Sequence, residues 1–397
     1  MNPSWDPEHP PSVCLVHDWL VAMRGGEKVL EAISELFPDA PIYTLFYNQS
    51  ALAPNLRKRT LYASFLQNIP GIHFFYRWLL FLFPIAIRSL NVKNYDLVIS
   101  SSHCVAKGVR VRPGATHVCY CHAPMRYLWG FSDEYLGRFP KTVRLAIERY
   151  FRWLKKWDAE TASGVQLFIA NSRHTAAKIQ HCYGRPSVVI HPPVDFGRQS
   201  TEPGRIKGDY FLIVSALVPY KRIDLAIEAF NQLKRPLEIV GDGPSKRSLE
   251  RMVRFEGIQF DGWLDQEALW DRYANARALI FPGEEDFGIV PLEAQGFGLP
   301  VIAFGNGGIR DSVLAVNEAG GPRPVDESTG IFFYDATPES LVQAVLAFER
   351  LTFQPAFIRE HARTFGHERF QKELMQVLRG EGVWAPSRAV DMPVGSR

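Results

Sequence analysis

The run Phe281-Pro282-Gly283-Glu284-Glu285-Asp286-Phe287-Gly288-Ile289-Val290-Pro291-Leu292-Glu293 sets two carboxylates around the junction of a strand and a helix. Pro291 suits the first turn of a helix. The amides of Ile289 and Val290, just behind Gly288, are then free at the helix start. Such an N-terminus attracts anions, a diphosphate among them. Glu285 on the loop and Glu293 in the first turn would accept hydrogen bonds from paired sugar or ribose hydroxyls. The plainer reading is an acidic loop with a glutamate that complements the helix dipole. A second cluster, Lys221-Arg222, follows Ser215-Ala216-Leu217-Val218-Pro219-Tyr220. A lysine here would reach a phosphate as a compact point charge; the plainer alternative is a solvated basic turn.

These side chains need strands to hold them. Val13–Val16, Leu97–Ser100, Thr116–Cys121, Leu167–Ala170 and Val188–Ile190 are short apolar runs in the first half. Tyr210–Ser215, Leu237–Val240, Ile258–Phe260, Ala278–Phe281 and Val301–Ala303 repeat the pattern in the second. Between them lie helical patterns: one runs to Phe37 after a glycine-containing loop, Arg24-Gly25-Gly26-Glu27, and others cover Arg222–Leu233, Gln266–Asn275 and Pro291–Phe297. Asn171 or Ser172 would cap the helix after Ala170. Continuous apolar strands alternating with helices imply parallel sheets covered on both faces. Residues 195–208, rich in Gly, Pro and charge, read as a linker. The expected fold class is α/β, with two Rossmann-like parallel-sheet domains, 12–195 and 208–362, facing a cleft. Ligands of such sheets sit beyond the carboxyl ends of the strands, where each loop named above lies.

A length of 397 residues exceeds one typical core, and 46% hydrophobic with 22% charged residues is ordinary for a soluble globular protein. The five cysteines are scattered and odd in number, which argues against a disulfide framework and for a reducing compartment. No second Cys/His pair with zinc spacing accompanies Cys119 and Cys121, so no metal is expected. Residues 1–12 lack the pattern of a signal peptide. The longest apolar run, Phe74–Ile87, is interrupted by Arg77 and Pro84 and falls short of the ~20 residues of a spanning helix. A cytoplasmic protein without a transmembrane segment is expected. The first 195 residues carry 22 Lys/Arg against 14 Asp/Glu, and the remainder 23 against 28. No nucleic-acid-binding motif accompanies the basic half, so nucleic acid is not an expected partner. No G-x-G-x-x-G follows the first strand, which speaks against a dinucleotide-dependent dehydrogenase.

Taken together, Glu285-x7-Glu293, the continuation to Ala303, Lys221 and the turn Gly241-Asp242-Gly243-Pro244 resemble the retaining GT-B glycosyltransferases of family 4. Val16-His17-Asp18-Trp19 and Tyr120-Cys121-His122-Ala123-Pro124-Met125-Arg126-Tyr127 are similar to mannosyltransferase-type members that build bacterial surface polysaccharides. The resemblance covers roughly residues 13–375. It implies transfer of a hexose, mannose from GDP-mannose first and a UDP-sugar next, to a glycan or lipid-linked acceptor. It further implies that Lys221 binds the donor diphosphate and stabilises the leaving group. Glu285 would hold the donor sugar, Glu293 the ribose, and the amides of Ile289 and Val290 the phosphates. Gly25 and Gly26 match the glycine-rich loop near donor phosphate and acceptor, and His122 matches a cleft histidine. A satisfied structural histidine is the plainer reading of His122. A closing helix at 363–383 would return towards the first domain, ahead of a mobile tail at 384–397. Two departures stand out. Ala216 replaces an arginine that many relatives carry, so either the glutamates and helix amides do more of the donor binding or Arg222 helps, and Asp311 follows Gly307-Gly308 where glutamate is usual. A sugar-nucleotide epimerase and a non-catalytic nucleotide-sugar-binding module are the rival readings; intact Lys221, Glu285, Glu293 and His122 favour an enzyme over the module.

Two basic, aromatic stretches suit adsorption to an anionic membrane surface on the inner face of the cell membrane. Phe65–Leu90 is bordered by Arg57, Lys58 and Arg59, and Lys141–Trp157 has Val143, Ile147, Tyr150, Leu154 and Trp157 at helical spacing. The first divides evenly between membrane and core, and the second favours core. The sequence carries no signal of oligomeric state.

Overall fold

The computed structural model describes residues 11–129, 141–196, 208–318 and 320–380. Most of the 195–208 linker and the whole 384–397 tail lie outside them. The chain divides into two compact units, one formed by residues 1–193 with 368–397 and the other by Val194–His367.

Among the described residues, the first unit holds seven strands: β1 Val13–His17, β2 Ile42–Thr44, β3 Leu61–Ala63, β4 Leu97–Ser102, β5 Thr116–Cys121, β6 Leu167–Ala170 and β7 Val188–Val189. They form one parallel sheet in the order β3-β2-β1-β4-β5-β6-β7. Strands β2 and β3 span three residues each, Ile-Tyr-Thr and Leu-Tyr-Ala, and do not stand out as apolar runs. Helix α1 is Gly25–Leu36, α2 is Lys141–Ala162 and α3 is Arg173–Tyr183. Ser172 is the cap of α3, its hydroxyl accepting from the Thr175 amide at 3.0 Å. Gly25 and Gly26 do not lie in a loop as expected. They are the first two residues of α1, because Glu27 folds back to accept the Arg24 amide at 3.1 Å and starts the helix early.

The stretch from Phe65 to Leu90 breaks into short α and 3₁₀ turns. Leu66, Ile72, Tyr76 and Phe83 turn inward, while Phe74 (88% exposed), Trp78 (73%), Phe81 and Ile85 face outward. On α2, Leu154 and Trp157 are buried, whereas Leu145 and Trp153 are exposed. No helix of the described residues is long and apolar enough to cross a membrane.

A buried ion pair anchors α2. Lys107, on the turn after β4, bonds Asp158, and both are nearly sealed from water. Asp158 also accepts from Trp129 Nε1 at 2.9 Å and the Tyr183 hydroxyl at 2.8 Å. Burial pulls the Lys107 ammonium down, but Asp158 outweighs it and holds the group above its ordinary range.

The second unit holds β8 Phe211–Val214, β9 Leu237–Val240, β10 Ile258–Gly262, β11 Leu279–Phe281, β12 Val301–Phe304 and β13 Gly330–Phe333. They form a parallel sheet in the order β10-β9-β8-β11-β12-β13. Its helices include α4 Ile223–Leu233, α5 Gln266–Asn275, α6 Ile289–Gly296, α7 Pro338–Phe348 and α8 Pro355–Arg363. Helix α9, His367–Gly380, then rejoins the first unit. Its fully buried Phe370, Leu374 and Leu378 enter the core that includes Leu15, Val29 and Tyr120. Their spacing of four keeps all three on one helical face.

Both sheets reverse direction once, between β1 and β4 and between β8 and β11. At such a switch point the flanking loops leave in opposite directions and open a crevice at the strands' carboxyl ends.

Asp158→Ala should cost about 3–5 kcal/mol by leaving the Lys107 charge buried and unpaired. Urea unfolding would measure it, and a Lys107→Met/Asp158→Leu double variant should recover most of the loss.

Candidate functional site

The switch point of the second unit carries the predicted charged residues. After β8 the chain runs through a 3₁₀ turn, Pro219–Lys221, into Arg222, which adopts the left-handed conformation at φ 53°. A non-glycine residue pays roughly 1 kcal/mol for that geometry, and the kink turns the chain into α4. After β11, Gly283 lies against the Lys221 backbone: a Cβ there would stand 2.9 Å from the Lys221 Cα. Only glycine permits so close an approach, and it brings the loops together. As a result Lys221 and Glu285 form an ion pair, each only 17% exposed. The Lys221 ammonium also lies 5.6 Å from the centre of the Tyr220 ring and 5.9 Å from that of Phe281. In this low-dielectric setting the pair is stronger than a surface salt bridge.

Gly288 caps α6 at φ 93°, a conformation natural to glycine. The amides of Ile289 and Val290 open the helix as the sequence predicts. Glu293 does not sit in the first turn: α6 begins at Ile289, which puts Glu293 fifth in the helix. Its partner is the buried Tyr273 of α5, whose hydroxyl donates at 3.3 Å. A glutamate beyond the first turn complements the dipole weakly, so the plain electrostatic account of Glu293 loses ground. The Gly308 amide donates to the Glu285 carbonyl at 2.7 Å and pins the loop from the β12 side. Asp311 follows on a short helix, Ile309–Ser312. Gly241, at φ 136°, crosses the Ser215 backbone at the end of β9. Arg222 reaches Asp224 at 3.3 Å, and Ala216 is exposed.

The switch point of the first unit carries imidazoles instead. His17 ends β1 and lies in register with Ser101 of β4. The buried Asp18 accepts four successive amides, from His103, Cys104, Val105 and Ala106, at 2.6–2.9 Å. It also meets His103 Nδ1 at 3.1 Å. One carboxylate therefore fixes the loop after β4 to the end of β1. His122 follows β5; its Nε2 lies 2.8 Å from Ser101 Oγ, and its carbonyl accepts from Asn171 Nδ2 at 2.9 Å. Gly26, at the start of α1, faces the rings of His122 and His17; a Cβ there would lie 3.6 Å from each. His17 is pushed down to about 3, mainly by burial and then by His103, so its ring is neutral.

In the second unit sequence reasoning passed over Tyr273 of α5; here it singled out His122, Gly25 and Gly26 and passed over Ser101 and His103. The available signal was polar residues at the carboxyl ends of adjacent parallel strands. Among the described residues no group of three or more His, Cys, Asp or Glu is arranged to hold a metal ion.

Two family models match adjoining parts of the chain: "Glycosyltransferase Family 4" over residues 9–198 and "Glycosyl transferases group 1" over 199–365. A curated relative, the GDP-mannose-dependent alpha-(1-6)-phosphatidylinositol monomannoside mannosyltransferase of Mycolicibacterium smegmatis, is 31% identical over 172 residues. The match covers 36% of this chain and 45% of that protein, less than half its length. The human alpha-1,3/1,6-mannosyltransferase ALG2 is 24% identical over 71% of each chain. Among solved structures, Anabaena HepE in complex with UDP-glucose superposes with a TM-score of 0.63 at 16% identity, over 93% of this chain and 100% of that one. At that identity the likeness speaks for the fold.

The buried histidines give a pH signature. His117 of β5 bonds Ser100 Oγ at 2.8 Å and is pushed down to about 4 by burial, with Lys107 adding to the effect. The unfolded chain binds a proton near pH 6.5 that the native His117 refuses, so stability falls as pH drops through that window. The slope is about 1.4 kcal/mol per pH unit for each such group. Between pH 7 and pH 5, wild type should lose about 2 kcal/mol more than His117→Asn. Equal losses in urea titrations at the two pH values would remove His117 from the account.

Proposed function

The chain belongs to the family 4 glycosyltransferases of the GT-B fold, and from that premise we propose that it moves a hexose, with retained configuration, from a sugar nucleotide to a glycan or lipid-linked acceptor. The observation that carries this reading is the Lys221–Glu285 pair at the β8/β11 switch point, beside the start of α6. The anomeric carbon–oxygen bond to the diphosphate breaks, and a bond to the acceptor hydroxyl forms on the same face. The acceptor proton passes to the departing phosphate oxygen. Negative charge grows on the diphosphate as it leaves, and preorganised positive groups lower that barrier. Lys221 is one such group, joined by the amides of Ile289 and Val290. Glu285 takes donor-sugar hydroxyls, and Glu293, held by Tyr273, takes the ribose. His122 of the first unit serves as a hydrogen-bond donor that orients a hydroxyl. Arg222 lends positive charge to the diphosphate, with Gly25, Gly26, Gly241 and Gly288 leaving room for backbone approach.

Mannose from GDP-mannose is the proposed donor, a choice supported by the name of the mycobacterial relative; the UDP-glucose complex of the Anabaena neighbour makes a UDP-sugar the second reading. A thermal-shift panel of GDP- and UDP-sugars decides between them, since bound ligand raises apparent stability. Lys221→Ala should slow nucleotide release from the donor by about a hundredfold or more. Full turnover in that variant, or donor binding with no release in wild type, would reject the catalytic reading.

The outward face of residues 65–88 and α2 is the proposed contact with an anionic membrane, placing the enzyme at the inner face of the cell membrane. Phe74, Trp78, Phe81 and Ile85 supply apolar surface, with Arg77 and Arg88 on the same stretch. Vesicles containing phosphatidylglycerol should sediment the protein at low salt, less so at high salt, and less so for Phe74→Ser/Trp78→Ser. Equal sedimentation with neutral vesicles would reject the electrostatic part.

A further inference from the structure

Three side chains at the carboxyl ends of β1, β4 and β5 are linked in series. His17 Nδ1 lies 3.1 Å from Ser101 Oγ, and Ser101 Oγ lies 2.8 Å from His122 Nε2. A serine hydroxyl has one proton to give and can accept twice, but Ser101 is buried and its Oγ meets no other acceptor among the described residues, so its proton goes to one of the two rings and the series runs in one of two directions. In the first, His17 donates to Ser101 and Ser101 donates to His122 Nε2; the His122 proton then sits on Nδ1. In the second, His122 donates from Nε2, Ser101 donates to His17 Nδ1, and the His17 proton is forced onto Nε2.

His17 selects between them. It is fully buried, and its Nε2 has no hydrogen-bond partner among the described residues. The second direction would strand an N–H donor in the interior, whereas the first leaves only an unused lone pair. Orphaned buried N–H groups are the rarer and more costly case.

We propose that His17 is a positioning residue that, through Ser101, fixes His122 as its Nδ1–H tautomer, so that His122 meets its ligand as a hydrogen-bond donor and not as a base. The proposal rests on the reading of His122 as the residue that orients a hydroxyl. It adds a consequence for the proton: Nε2 is occupied by the Ser101 hydroxyl and Nδ1 already carries hydrogen. Neither nitrogen is open to the acceptor proton, which must leave on the phosphate oxygen.

The test is long-range ¹H–¹⁵N correlation on protein labelled at histidine, with His122 assigned by its loss in His122→Gln. Wild type should show His122 protonated on Nδ1. Ser101→Ala, which removes a single oxygen, and His17→Leu should shift it to the Nε2–H form. His17→Asn should restore the Nδ1–H form, because its amide reaches as far as Nδ1 and can donate. In transfer assays kcat should fall by up to about tenfold in the first two variants, the worth of one hydrogen bond, at unchanged donor KM, and recover in His17→Asn. An Nε2–H tautomer in wild type, or one unmoved by both Ser101→Ala and His17→Leu, overturns the proposal. A tautomer that shifts while kcat stays constant supports the His17 device and rejects the role of His122 in transfer.

Discussion

Lys221 and Glu285 depend on each other. Each is largely withdrawn from water, so each would carry an uncompensated desolvation cost without its partner. Their meeting depends in turn on a backbone contact at Gly283, on the left-handed turn at Arg222 and on the adjacency of β8 and β11. A parallel sheet delivers both loops to one edge, and the reversal of strand order between them leaves space above the pair. The rest of the second unit supports that arrangement. Its hydrophobic layers hold the strands, and the Gly308 amide secures the loop carrying Glu285. A ligand that brings both an anion and hydroxyls can divide the pair without stranding either charge: the ammonium takes the anion and the carboxylate takes the hydroxyls. A ligand with only one of these would leave the other partner unmatched. This gives the pair a selectivity that neither residue has alone.

The first unit uses the same topology for different chemistry. Its switch point holds one buried, neutral imidazole, His17, beside the partly buried His103 and His122, and one carboxylate already saturated by four amides and His103. Asp18 has no capacity left for a ligand; it is a brace between β1 and the loop after β4. What remains for recognition is directional hydrogen bonding from histidine. One sheet thus offers charge and the other offers geometry.

Much of this was legible in the chain. Apolar runs of three to six residues between helical patterns marked ten of the strands, and the carboxyl-end rule then located both clusters. Strands β2, β3 and β13 were not read: β2 and β3 mix polar or small residues into three positions, and β13 opens on a glycine. Gly25-Gly26 looked like a loop because glycine is a poor helix former; the fold-back of Glu27 onto the Arg24 amide is invisible without coordinates. Glu293 was placed one turn early for a related reason. Pro291 suits any of the first positions of a helix, and the left-handed Gly288 decides which one it takes. The partnership of Tyr273 with Glu293 joins two helices, and the series His17–Ser101–His122 joins three strands. Contacts of that kind leave no local trace in sequence.

Helix α9 sets an order of assembly. Its Phe370, Leu374 and Leu378 complete the core around Leu15, Val29 and Tyr120, yet they are made more than two hundred residues after β5. During synthesis the first unit must wait with that face uncovered while the second, contiguous unit emerges and can close on its own. Domains generally fold as units as the chain is made. Here the unit that begins first is the one that finishes last, and until α9 is made its apolar seam stays uncovered.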